Sequence, residues 1–133
     1  VMAKDVILNI IGKLGPSAAV YKAIEYCGSA VKNMSMAERM VICNMAVEMG
    51  AKTSYIQPDS KTLEYVRSKT DRDFEVFSTD EDYKYAEEYC FNIDELIPQV
   101  AKPDNIDDVD DMLQSKGYFQ LLIYMDNLRY SRC

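Results

Sequence analysis

An α/β fold, a layered sheet with flanking helices, is predicted by three features of this 133-residue sequence. Short β-prone runs alternate with stretches of helical periodicity. A capping box opens a long apolar helix near the middle of the chain. Glycines and prolines stand at the joints between the elements.

The first element is a helix over Ala3–Leu14, where Val6, Ile7, Ile10, Ile11 and Leu14 recur at helical spacing and Gly12 and Gly15 close it. Val20–Tyr26 alternates enough for a strand, with Val20, Ile24 and Tyr26 on one face. Ser35–Met49 comes next as a helix. Ser35 can accept from the Glu38 N–H and Glu38 can answer the Ser35 N–H, and Gly50 supplies the left-handed residue that ends a helix. A strand at Lys52–Ile56 stops at Pro58. Asp59 can then cap a short helix through Val66, with Leu63 and Val66 turned inward.

Residues 67–88 are charged and poor in aliphatics, which marks a surface insertion. Thr79 and Asp82 suggest a cap for a helix over Asp80–Glu88, and Phe74, Phe77, Tyr83 and Tyr85 are expected to fasten it to the body. Tyr89–Ile93 reads as a strand, and Pro98 and Pro103 keep the chain beyond it extended. Asp104, Asp107, Asp108, Asp110 and Asp111 mark an acidic linker at 104–116. Neither acidic stretch has the D-x-D-x-D-G order of a calcium loop, so solvated faces are expected. The tail, 117–133, holds the apolar run Tyr118–Met125, either a further strand or the core face of a helix. An uncovered sheet edge there would favour a homo-oligomer.

The central helix carries the candidate site. Met36, Ala37, Met40, Val41, Ile42, Cys43, Met45, Ala46, Val47 and Met49 leave so little polar surface that burial inside a larger α/β body is expected. Asn44 and Glu48 interrupt that pattern. At helical spacing they lie about 40° apart, one above the other, beside Ala37 and Val41. Asparagine is a poor residue inside a helix because its amide competes for backbone bonds. A glutamate in the last turn faces the negative end of the helix dipole. Two broken local rules on one face mark a functional site. A solvated Glu48 and an Asn44 bonded to a loop would be the plain structural account, and both readings stand on spacing alone.

CNMAVEMGAKTSYIQPD, residues 43–59, resembles the segment C-N-M-x-x-E-x-G-A-x-x-x-x-x-x-P-D of aconitase-superfamily hydro-lyases. AKDVILNIIGKLG (3–15) is similar to the family's AKD-(apolar)-IIGK stretch. YKAIEYCGSAVKNMSMAERM (21–40) resembles the strand and linker before its helix, and FNIDELIPQVAKPDNIDDV (91–109) its P-Q-V-A-x-P segment. The likeness covers about Ala3 to Val109, with the four motifs in order. It points to the large subunits of 3-isopropylmalate dehydratase and homoaconitase type, with 2,3-dimethylmalate dehydratase nearby, and implies an aconitase-like iron–sulfur-domain fragment.

That resemblance implies that Asn44 and Glu48 line a substrate pocket near a 4Fe–4S cluster. An amide can hydrogen-bond a substrate carboxylate, and a glutamate can exchange a proton with the departing water. The implied substrate is a small di- or tricarboxylic hydroxy acid, and the implied partner is a swivelling small subunit. The family's cluster ligands come from a G-S-C-T-N segment and a later C-x-x-C, both downstream of the matched region. Where G-S-C-T-N is expected, Leu121–Arg129 reads LLIYMDNLR, without cysteine, and the chain has no histidine. Cys27, Cys43, Cys90 and Cys133 are widely spaced, and Cys27 and Cys43 sit in apolar contexts as small hydrophobes. No cluster or other metal is therefore expected to be held by this chain. Two functional classes remain for a single partial domain spanning 1–133. One is a fragment or degenerate copy of a dehydratase large subunit; the other is a non-catalytic α/β module for interaction or small-acid binding.

Composition excludes other classes. Lys+Arg 15 against Asp+Glu 22 gives a net charge of −7, which argues against nucleic acid. No apolar run approaches the roughly 20 residues of a membrane span. Isolated cysteines suit a reducing compartment. Val1–Lys4 shows neither the basic nor the apolar region of a signal peptide, so a cytoplasmic location is expected.

Overall fold

Val6, Ile7, Leu8 and Ile11 bury one side of helix α1 (Ala3–Leu14), and the rest of the described chain is assembled around that side. The computed structural model describes residues 1–112. In order come β1 (Ala23–Glu25), α2 (Ser29–Asn33), α3 (Met36–Asn44), a 3₁₀ turn (Met45–Met49), β2 (Thr53–Tyr55), α4 (Ser60–Arg67), β3 (Gln99–Ala101) and β4 (Val109–Asp111). Helix and strand are thus mixed, with small sheets in place of one broad layer. β1 and β2 pair in parallel, Ile24 opposite Ser54; β3 and β4 pair antiparallel, Val100 opposite Asp110. The core joins Ala3, Val6, Ile7 and Ile11 of α1 to Val31, Ile42, Ala46 and Met49.

Two contacts lock the β3–β4 hairpin to α1. The buried Asp5 carboxylate accepts from the Met2 N–H at 2.7 Å and from the Gln99 N–H at 2.9 Å. It thereby satisfies an orphan donor at the helix N-terminus and a strand donor together. At the other end, a Cβ on Gly12 would stand 2.9 Å from the Val109 Cβ. Gly12→Ala gains about 1 kcal/mol of helix propensity, but overpacking against a β-branched Cβ costs about 1–3 kcal/mol. We expect a lower urea midpoint for Gly12→Ala, restored when Val109→Ala is added.

Several sequence expectations are corrected. The Ser35–Met49 helix is α-helical only to Asn44 and tightens into 3₁₀ from Met45. It is also not buried all round: Met40, Val41 and Val47 are 47, 38 and 64% exposed. The strand expected over Val20–Tyr26 shortens to Ala23–Glu25, because Tyr21 takes a positive φ of 61° and breaks the extended run. α2 was not anticipated; only Val31 of its five residues is buried, too short a pattern to register. No helix forms over 80–88 and no strand over 89–93.

The segment between α4 and β3 is instead fastened by polar bonds while its rings stay exposed. Thr79 and Tyr85 hydroxyls donate to the Glu25 carboxylate at 2.8 and 2.7 Å, and the Tyr55 hydroxyl donates to the Phe77 carbonyl at 2.6 Å. Lys22 pairs with Glu87. Such bonds to β1 and β2 depend on the fold and leave no periodic trace. Within the acidic stretch expected as a linker, residues 109–111 are β4, and Lys102 pairs with both Asp108 and Asp110 across the hairpin. The apolar run Tyr118–Met125 lies outside the described residues.

Candidate functional site

α3 begins where the sequence places it. The Ser35 hydroxyl accepts from the Glu38 N–H at 3.3 Å, and the Glu38 carboxylate accepts from the Ser35 N–H at 2.8 Å. The start is anchored further by Arg39, only 3% exposed, whose guanidinium grips Asp59 through two bonds of 2.8 and 2.6 Å. The same side chain donates to the Lys32 carbonyl at 3.2 Å, and Lys61 donates to the Met34 carbonyl at 2.6 Å. Two cations therefore hold the carbonyls that end α2 and lead into α3. The paired guanidinium, and then the Thr62 N–H, hold the Asp59 carboxyl well below the usual carboxylate range.

The end of α3 is set from β2. The Ser54 hydroxyl donates to the Cys43 carbonyl at 2.8 Å, just before Asn44. Beyond the 3₁₀ turn, Gly50 takes φ 78° and ψ 9°, and a Cβ there would stand 2.7 Å from a Val20 methyl carbon. Glycine is required on both counts. The neighbouring Met49 carbonyl accepts from the Ala19 N–H at 2.9 Å.

Both sequence-predicted site residues are exposed, as are Ala37, Met40, Val41 and Val47. Among the described residues neither the Asn44 nor the Glu48 side chain has a hydrogen-bond or ion-pair partner, so Asn44 is not spent on a neighbouring loop. They are not stacked as an α-helix would stack them. A 3₁₀ turn advances by roughly 120° per residue, which puts Val47 above Asn44 and turns Glu48 aside. Accordingly, a depression of ≈ 250 Å³ is lined by Asn44 and Val47 together with Lys52, Thr53 and Ser54, but not by Glu48.

The residues lining the depression carry an amide (Asn44), an ammonium (Lys52) and a hydroxyl (Thr53), donor types that take a carboxylate, while the Ser54 proton is spent on the Cys43 carbonyl. The Lys52 ammonium also lies 4.4 Å from the centre of the Tyr21 ring, a cation–π contact that steadies its position. Sequence reasoning missed Lys52 and Ser54. Their only signal was position, in the strand that comes after the helix.

Among the described residues three cysteines are free thiols: Cys27 and Cys90 exposed, Cys43 half-buried. Cys27 is thus not the small buried hydrophobe its neighbours suggested. Burial, with the Cys43 thiol adding to it, pushes the Tyr26 phenol far above its ordinary value, and its hydroxyl has no hydrogen-bond partner among the described residues. Among the described residues no three His, Cys, Asp or Glu side chains come together as metal ligands. They do not fit a 4Fe–4S cluster, which asks for cysteine thiolates. Nor is any described helix long and apolar enough to cross a membrane.

Known proteins resemble this chain along most of its length. The model of the aconitase family (aconitate hydratase) matches residues 1–120. A probable methanogen homoaconitase large subunit of Methanothermobacter thermautotrophicus is 50% identical over 109 residues, covering 82% of this chain and 26% of the relative. A probable 3-isopropylmalate dehydratase large subunit of the same organism is 46% identical over 117 residues, 88% of this chain and 28% of the relative. The 3-isopropylmalate dehydratase large subunit of Caldicellulosiruptor saccharolyticus is 38% identical over 133 residues, 98% of this chain and 29% of the relative. The chain spans roughly a quarter of the length of these relatives. With four motifs in order and a family match over nearly all its residues, this chain belongs to the aconitase family.

Proposed function

We propose that this chain supplies part of the substrate pocket of a 3-isopropylmalate dehydratase- or homoaconitase-like hydro-lyase large subunit. In that reading Asn44 hydrogen-bonds a carboxylate of a small hydroxy acid, and Glu48 holds or moves the proton of the water that leaves or returns. The observation that carries it is the exposure of two polar side chains, unpartnered among the described residues, in a segment that also exposes Met40, Val41 and Val47. Lys52 adds a positive charge on the Asn44 side, suited to a di- or tricarboxylate.

The same reading covers the rest of the chain. It is one partial domain, with 67–88 a charged surface insertion. The parallel β1–β2 pair is two strands of a larger layered sheet, since parallel strands are stable when covered on both faces. The relatives are named large subunits, so a small subunit is the partner, in a cytoplasmic enzyme. The family's cluster would supply Lewis-acid chemistry at the substrate hydroxyl, with its ligands outside residues 1–112.

Transplantation tests the proposal. The matched segment of the Methanothermobacter homoaconitase large subunit is replaced by this chain, and the anaerobically prepared enzyme is assayed for dehydration with its small subunit. Activity well above a subunit lacking the segment is expected. Activity equal to that background, in a folded hybrid, would sink the reading and leave a non-catalytic module.

A further inference from the structure

The α3 axis changes winding at the residue where the site begins. Up to Asn44 the backbone is α-helical; from Met45 to Met49 it is 3₁₀. Nothing in MAVEM demands this, for it contains no proline or glycine and its residues, valine apart, are good helix formers. The cause is to be found in the elements to which the segment is tied.

Each end is held by a different element. At the start, the Ser54 hydroxyl takes the Cys43 carbonyl at 2.8 Å. A side chain that inserts at a carbonyl of the i→i−4 ladder draws it outward and disturbs the ladder there. At the finish, the Ala19 N–H takes the Met49 carbonyl at 2.9 Å, and Gly50 turns left-handed against Val20. Between such ties the span is fixed. Over five residues a 3₁₀ turn reaches about 2.5 Å further than an α-helix, at about 2.0 against 1.5 Å per residue. Between the same two ties the 3₁₀ winding covers the longer distance.

The consequence falls on the candidate pair. Under α-winding Glu48 would stand over Asn44, about 40° away; under 3₁₀ winding it is roughly 120° away and Val47 takes its place. The depression beside Asn44 is lined by Val47 and not by Glu48, in keeping with this rotation. We infer that Ser54 is a positioning residue for the Asn44–Glu48 site: by holding the Cys43 carbonyl, its hydroxyl keeps Met45–Met49 in the 3₁₀ form, with Glu48 turned away from Asn44. The inference rests on the assignment of both residues to one substrate site. Rewinding the segment to α would bring the glutamate to the amide, so the two partners assemble by a change within a single turn.

The test is made on the whole chain without ligand, so its failure is distinct from failure of the transplanted enzyme. Scalar couplings across backbone hydrogen bonds identify the carbonyl that pairs with the Glu48 N–H. It is Met45 in a 3₁₀ turn and Asn44 in an α-helix. Wild type and Ser54→Thr, which keeps the hydroxyl, are expected to show the Met45 coupling. Ser54→Val, which fills the site without a hydroxyl, is expected to lose it and gain the Asn44 coupling; Ser54→Ala replaces it if the valine variant does not fold. A merely stabilising Ser54 would lower the melting temperature of the valine variant and leave the coupling on Met45. That result, an Asn44 coupling already present in wild type, or the same change in Ser54→Thr, would overturn the inference.

Discussion

Glu48→Gln in a transplanted large subunit is expected to lower kcat by roughly 10²–10⁴-fold, the usual contribution of a positioned acid or base. Glutamine keeps the shape and hydrogen-bonding reach of glutamate but cannot carry the proton, so KM should change little. Asn44→Ala should behave differently. Loss of an amide that binds a carboxylate in ground and transition state alike raises KM and spares kcat. Steady-state kinetics of the two variants, with circular dichroism to confirm folding, make the distinction. A Glu48→Gln enzyme with undiminished kcat would remove the glutamate from the proton chemistry and leave Asn44 alone in the pocket.

Asp59→Ala is expected to be the most damaging single change to stability among the described ion pairs. It would strand the Arg39 guanidinium, 3% exposed, without its two charge-assisted bonds, and remove the N-cap bond to the Thr62 N–H at 3.0 Å. Breaking a buried pair costs about 3–5 kcal/mol. The Asp59 side chain is itself 37% exposed, so water screens part of the charge and about 2–3 kcal/mol is the better expectation. Asp59→Asn separates the contributions, since asparagine still caps a helix. It should retain the α4 signal in circular dichroism yet lose most of the ion-pair contribution in a urea titration.

The same pair makes stability depend on pH. Asp59 has a folded pKa below its unfolded value of 3.8, so its contribution is complete above that value and is lost as the pH falls through the folded pKa. Wild-type urea midpoints should decline below about pH 4. Asp59→Asn should start lower and lose this part of the decline. Parallel curves for the two proteins would show that other carboxylates carry the acid response.

Local signals were legible where local chemistry decides. The Ser35–Glu38 capping box, the Asp59 cap and the left-handed Gly50 all stand where the residues placed them. The Ala3–Leu14 periodicity became α1 with the same bounds. Charged residues 80–88 look like a capped helix in isolation but form none; Thr79 and Tyr85 hydroxyls instead tie the segment to Glu25, far away in sequence.

The family was legible from the order of four motifs, and the matching family model agrees; the residue types of the candidate site were read from one of those segments. The site's geometry was not. An i, i+4 spacing stacks Asn44 on Glu48 only if the helix continues, and helical continuity across Met45 is decided by Ser54, Ala19 and Val20. By itself the sequence determined the membership, the starts of α1, α3 and α4 and the two polar residues of an apolar segment, because caps, periodicity and motif order are properties of neighbouring residues. Only the tertiary structure decided where α-winding stops and which way Glu48 points, because hydrogen bonds from a later strand and an earlier turn fix the span that the segment must cover.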